Sequence, residues 1–368
     1  MTARKTKSQA NRSPKFLRVE ELCRNVVPAK ALAADAPLAL KDKKGVERAY
    51  GEFLGRVLAD PVAGMRLCHA MLLPLPGSMK RLAEYEKRGS IEMPGARVER
   101  RGKASVVTIS NPRYLNAEDD TTLEGLETAV DVALLDTKSE VCVLRGGVVE
   151  HPKYAGRRLF GAGINLTHLY QGKIPFLWYI RRDLGLVNKF YRGLAKPGVS
   201  PEVDSVEKLW IAAVEGFAIG GHCQILLTMD YILATQDAYM TLPARKEGII
   251  PGAANLRLPR FVGPSLARQA ILAERRLDCD SPEGRMICDE IVAPAEMDSA
   301  IDRIVERLTG SGVVSAAGNR RALRIVEEPL DDFRRYMSVY AREQAHCHFS
   351  PALIRNLERN WDAANRRP

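Results

Sequence analysis

The chain has 368 residues, 46% hydrophobic and 27% charged, with a formal net charge of +10. That length holds one large domain or two ordinary ones and buries a real core. Its apolar–charged balance is that of a globular chain, and no apolar run approaches the roughly 20 residues that span a bilayer. The positive excess suits an anionic ligand such as a coenzyme A ester, but equally RNA or an acidic surface.

Residues 1–15 carry Arg4, Lys5, Lys7, Arg12 and Lys15 without a single acid. They lack the apolar core of a signal peptide, so a solvated basic tail is expected, with a transit peptide as the alternative. Residues 16–98 read as mostly helical: YGEFLGRVLADPVAGMRLCHAMLLPLP has apolar residues at helical spacing, broken by prolines. This is expected to be a packing or assembly region. Near Val98 the texture changes, and ARVERRGKASVVTIS alternates as a strand does around a charged turn. In the next segment Leu123, Leu126, Val130, Ala133 and Leu134 form a helical stripe. Glu118, Asp119 and Asp120 stand ahead of it, where a helix dipole favours acids.

VCVLRGG is a buried strand, HPKYAGRR a basic linker, and PFLWYIRRDLGLVNKFYRGL an apolar helix. LWIAAVEGFAIGGHCQ follows: a strand that breaks at Gly220-Gly221 and turns into a helix. Such a turn gathers bare N–H groups, fit for a phosphate, an oxyanion or simply a tight connection. After the strand YILATQ and a turn-rich stretch, the remainder reads as helices. Strands separated by helices predict an α/β core with a helical C-terminal region.

Several signals are absent or weak. No P-loop, G-x-S-x-G, H-E-x-x-H or zinc-spaced set occurs. His346-Cys347-His348 would face different sides of a helix, so no metal is expected there. His168 reads as a packing or surface residue, and Arg100-Arg101 and Arg320-Arg321 as solvated faces. The seven cysteines are odd in number and contain no C-x-x-C, which suggests reduced thiols in a cytoplasmic protein. No aromatic interleaving supports a nucleic-acid platform.

GAGIN at 161–165 and IGGHCQ at 219–224 together resemble the enoyl-CoA hydratase/isomerase (crotonase) superfamily over roughly residues 99–310. The resemblance implies a crotonase-like ββα superhelix core at 99–310. Before it lies a basic tail and helical region (1–98), and after it a helical oligomerisation region (311–368). It also implies an oxyanion hole made by the backbone N–H groups of Ile164 and Gly221, acting on an acyl-CoA thioester. Two departures matter. Hydratases of this family carry two glutamates where this chain has Gln224 and, after Pro243, Ala244. Gln exchanges no proton near neutral pH and Ala has no polar group. Glu247, three residues on, is the possible surrogate, and His222 stands where a third glycine is common.

NPRYLNAEDD, IRRDLG and LPARKEGIIPGAANLRL are similar to a branch of the family that oxygenates arylacetyl-CoA thioesters in glycopeptide-antibiotic pathways. This likeness implies dioxygen as co-substrate, with no metal, flavin or other cofactor. It also implies ring-hydroxyl contacts from Glu118, Arg182 and Gln224, and a trimer-based homo-oligomer such as a hexamer. Ile164, Ile219 and Ile225 are expected near a dioxygen pocket, and Lys153, Arg157 and Arg158 near the CoA phosphates. The bland alternatives are a helix-capping Glu118, a solvated Arg181-Arg182-Asp183 cluster and a solvated basic linker. Competing functions are another acyl-CoA reaction (isomerase, thioesterase or hydratase) and a non-catalytic RNA-binding protein of the same fold.

Overall fold

The computed structural model describes residues 16–310 and 312–366. The expected basic tail therefore lies outside the described residues. The alternating segment forms β2 (Ala96–Arg101) and β3 (Ala104–Ile109), preceded by β1 (Ser90–Met93) in an antiparallel meander. The sheet thus begins ahead of the expected boundary at 98/99, because Ile91 and Val98 pair across β1 and β2 and are both buried.

From β3 onward the pairing becomes parallel. β4 (Val141–Gly146), β7 (Leu209–Val214), β9 (Tyr231–Thr235) and β12 (Glu290–Val292) complete a seven-stranded sheet in the order β1-β2-β3-β4-β7-β9-β12. β5 (Leu194–Ala195) and β6 (Ser205–Val206) form a separate short hairpin. β8 (Phe217–Ile219), β10 (Tyr239–Thr241) and β11 (Leu277–Asp278) make a second, three-stranded sheet. Successive chain turns place one strand in each sheet: β7 then β8, β9 then β10. This is the repeating ββα course expected for the core. Parallel strands covered on both faces need continuous apolar runs, and LWIAAV and VCVL supply them.

The helix Leu123–Leu135 is buried on nearly every side rather than along one stripe. Its Glu127 and Asp131 are both met by Lys189 Nζ at 2.7 Å, and Glu127 also by Arg18 at 2.8 Å. The helix starts after Thr122, so Glu118 does not stand in its first turn.

The N- and C-terminal regions are not separate layers. Helix Arg48–Ala59 lies against helix Leu330–His348, and Leu54, Leu58, Phe333, Met337 and Ala341 share the main core. Arg320 is not on a solvated face: it is buried, with Asp230 at 2.7 Å and Glu207 at 3.1 Å. No described helix is long and apolar enough to cross a membrane.

Candidate active site

The site forms where β8 leaves the second sheet. Gly220 turns the chain with φ +54°, and helix Gly221–Leu226 starts at once. Alongside runs the GAGIN segment, tied by Phe160 N–H to Glu215 O, Gly161 N–H to Phe217 O, and Ile219 N–H to Gly161 O. Gly163 takes φ +80°, and a Cβ there would lie 2.8 Å from Ile219 O and 3.2 Å from Gly221 N. Only glycine fits both that backbone and that close approach. The two segments are thereby pressed together. Among the described residues no acceptor takes the N–H of Ile164 or of Gly221. Both residues line one pocket. Two converging, unengaged donors at a helix start are suited to holding a negatively charged oxygen.

His222 braces this arrangement. Its Nδ1 accepts the Gly163 N–H at 2.9 Å, which puts the ring proton on Nε2. The ring is fully buried, and burial pushes its pKa down to about 4, with Glu118 opposing and Arg182 assisting. It is therefore a neutral acceptor near neutral pH.

Arg182, Glu118 and Gln224 line the same pocket, close beside the two amides. Glu118 reaches it because its backbone pairs with the GAGIN segment: its N–H donates to Gly163 O, and its C=O accepts from Asn165 N–H. Arg182 opens a π-helical turn, Arg182–Val187, between helices Phe176–Arg181 and Asn188–Arg192. Single π turns of this kind are frequent at functional sites. Its Nε and Nη2 donate to Glu118 at 2.8–3.0 Å, and Nη2 also to Gly221 O at 2.7 Å. Nη1 donates to Asp183 and to Gln224 Oε1, both at 2.9 Å. All its N–H groups thus have protein acceptors. Burial lowers the Arg182 pKa, but Glu118 and Asp183 overcome this and hold it raised. For Asp183, burial outweighs Arg182 and raises the pKa. With Arg182 and Asp183 3% or less exposed, the solvated-cluster alternative does not hold.

The sequence expectations therefore separate into two groups. Ile164, Gly221, Glu118, Arg182 and Gln224 come together around one pocket. Ile219 and Ile225 do not line it. Ile225 is one position past Gln224 on the same helix, so it turns into the core, and Ile219 packs with Val149, Leu159 and Phe217. The apolar wall is instead Ile164, Ile249, Ile250 and Pro251. Lys153, Arg157 and Arg158 also lie off the pocket. Lys153 sits over the Tyr154 ring, Arg157 pairs with Asp237 at 2.6 Å, and Arg158 donates to Gly146 O.

Trp178, Tyr179, Glu247 and Tyr340 also line the pocket. Trp178 and Tyr179 belong to the apolar helix that carries Arg182, a signal the sequence did offer. Tyr340 comes from the C-terminal helices and had none. Asp119, Asp120 and His168 lie close enough to suggest a metal group. His168 Nδ1 meets Asp120 at 2.8 Å, while Asn111, Thr121 and Asn165 donate to Asp119, so hydrogen bonds account for the cluster.

The enoyl-CoA hydratase/isomerase family model matches residues 99–324, and the chain belongs to that family. Among curated proteins, (3,5-dihydroxyphenyl)acetyl-CoA 1,2-dioxygenase of Amycolatopsis orientalis is 45% identical over 340 residues, 90% of this chain and 77% of that protein. A short-chain-enoyl-CoA hydratase of Clostridium acetobutylicum is 26% identical over 63% of this chain and 82% of its own. An enoyl-CoA hydratase/isomerase structure from Xanthobacter autotrophicus Py2 superposes with a TM-score of 0.60 at 22% identity, covering 74% of this chain and 96% of that one. This last match speaks for the fold alone.

Proposed function

We propose that the protein is a cofactor-independent dioxygenase. It converts 3,5-dihydroxyphenylacetyl-CoA, or a related arylacetyl-CoA, and O2 to the arylglyoxylate and free CoA. The observation that carries this reading is the combination at one pocket. Two unengaged amides face it, while the positions where family hydratases hold carboxylates are Gln224 and Ala244. The dioxygenase relative supports the same activity. The missing carboxylates speak against the hydratase alternative.

In this mechanism the thioester oxygen points at the N–H groups of Ile164 and Gly221. As an α-proton leaves, negative charge moves onto that oxygen, and each such donor contributes about 3 kcal/mol to the transition state. The aryl ring spreads the remaining carbanion. The electron-rich Cα adds to O2, and the peroxide attacks the thioester carbonyl. The C–S bond breaks, and loss of the second α-proton as the O–O bond cleaves yields the 2-oxo acid. The apolar wall of Ile164, Ile249 and Ile250 accommodates O2 and keeps water from the peroxide.

The ring hydroxyls meet Glu118 and the amide N–H groups of Gln224, which have no acceptor among the described residues. Arg182, whose donors are already engaged, holds those two side chains in place. The protein assembles as a trimer-based homo-oligomer, a hexamer, through its C-terminal helices. The exposed Val326 and Leu323 on helix Val313–Glu327 fit such an interface. The test is an oxygen electrode with chelator-treated protein. Dihydroxyphenylacetyl-CoA should drive O2 uptake matched one-to-one by free thiol. Bound substrate without uptake would sink the reading.

A further inference from the structure

Three carboxylates line the pocket: Glu118, Asp183 and Glu247. The first two accept from Arg182. Glu247 is only 6% exposed, yet among the described residues nothing donates a hydrogen bond to its carboxylate and no cation pairs with it. Its position follows from local structure. After Pro243 the chain makes one helical turn, Ala244–Glu247, and residues three apart share a face. Ala244 and Glu247 accordingly line the same pocket. The carboxylate enters one turn beyond the place from which family hydratases present theirs.

We propose that Glu247 is the base that removes the α-protons of the bound arylacetyl thioester, an inference that rests on the thioester reading above. In the first transfer the Cα–H bond breaks and its electron pair delocalises onto the oxygen held by Ile164 and Gly221. The proton passes to Glu247. After the enolate adds to O2 and the peroxide displaces the thiolate, the Glu247 carboxyl returns that proton to sulfur. The regenerated carboxylate then takes the second α-proton as the O–O bond breaks and the C=O bond forms. The sum balances: thioester and O2 give arylglyoxylate anion, CoA thiol and one proton, which Glu247 releases to solvent.

The surroundings suit the task. Burial pushes the Glu247 pKa up to about 7, with Glu274 adding to the rise and Lys246 opposing it. Glu274 is itself paired with Arg245 at 2.9 Å. From helix Phe176–Arg181, Tyr179 faces the group as a phenol whose own pKa burial and Glu247 raise. Tyr340 and the Arg182–Glu118–Asp183 set line the same pocket. On helix Pro351–Trp361 the neighbours of this turn are Leu353, Asn356 and Asn360, none of which titrates. A base works in its ionised form, so the rate is expected to rise with pH through about 7.

The experiment is anaerobic α-H/D exchange of dihydroxyphenylacetyl-CoA in D2O, followed by mass spectrometry, beside aerobic O2 uptake. Wild type should exchange. Glu247→Gln should exchange at least about 100-fold more slowly and lose the pH limb, with Glu247→Asp in between. A non-reactive thioether analogue should still bind Glu247→Gln, showing an intact site. Wild-type-like exchange in Glu247→Gln, alongside normal wild-type oxygenation, overturns the role of Glu247 and leaves the dioxygenase reading standing. Wild type that exchanges but consumes no O2 overturns the dioxygenase reading instead. Should Glu247→Gln fail to fold, the wild-type exchange profile decides: a rise through pH 7 supports the proposal and a flat profile contradicts it.

Discussion

Gln224 and His222 share one short helix and do opposite things. Gln224 faces the pocket and gives its carbonyl to Arg182. Gln224→Glu would place a third carboxylate on an arginine already shared by Glu118 and Asp183. An uncompensated buried charge costs about 3–5 kcal/mol. Oxygen uptake should therefore fall in kcat/KM by about 100-fold or more; unchanged uptake would remove Gln224 from the ring site. His222 faces away and holds the Gly163 N–H. His222→Leu leaves that buried donor unpaired, at about 1–3 kcal/mol. The loss should appear in kcat more than KM, because the amide of Ile164 is misaimed rather than removed. His222→Asn, with an oxygen near the Nδ1 position, should recover much of it.

At the scale of elements, the strand–glycine–helix unit was legible because paired glycines between apolar runs have few structural uses. Arg182 was legible only through family likeness, since nothing in IRRDLG announces a π turn. The helix Leu123–Leu135 shows one apolar stripe in the sequence yet is buried on nearly every side, because Lys189 meets Glu127 and Asp131, and Arg18 meets Glu127, inside the core. Ile219 and Ile225 stand close to Gly221 along the chain but do not line the pocket, whereas Ile249 and Ile250 reach it from the loop after the turn Ala244–Glu247. Glu328 shows how the C-terminal helices are held: it meets Arg192, Arg257 and Arg260 at 3.1, 3.0 and 2.7 Å. Burial raises its pKa, but these arginines prevail and hold it at about 2. A depressed carboxylate stabilises fully above its unfolded value of roughly 4.3 and loses that contribution as pH falls through the folded value. Thermal melts of Glu328→Gln should show a loss of about 3–5 kcal/mol at pH 7 and a smaller drop than wild type between pH 5 and 2. Equal melts at pH 7 would contradict this.

Across the whole molecule, the family core supplies the two amides, and the added helices close the pocket. Tyr340 reaches it from helix Leu330–His348, which also packs on the N-terminal helix Arg48–Ala59. On the proposed reading, one architecture joins two amides that stabilise a thioester enolate to an apolar wall of Ile164, Ile249 and Ile250, where that enolate meets O2. The direct measurement is turnover of dihydroxyphenylacetyl-CoA under ¹⁸O2 with mass spectrometry of the arylglyoxylate. The predicted product carries one label in the carboxylate and one in the keto group before exchange with water. A product labelled only from H2¹⁸O, as hydrolysis or hydration gives, would contradict it.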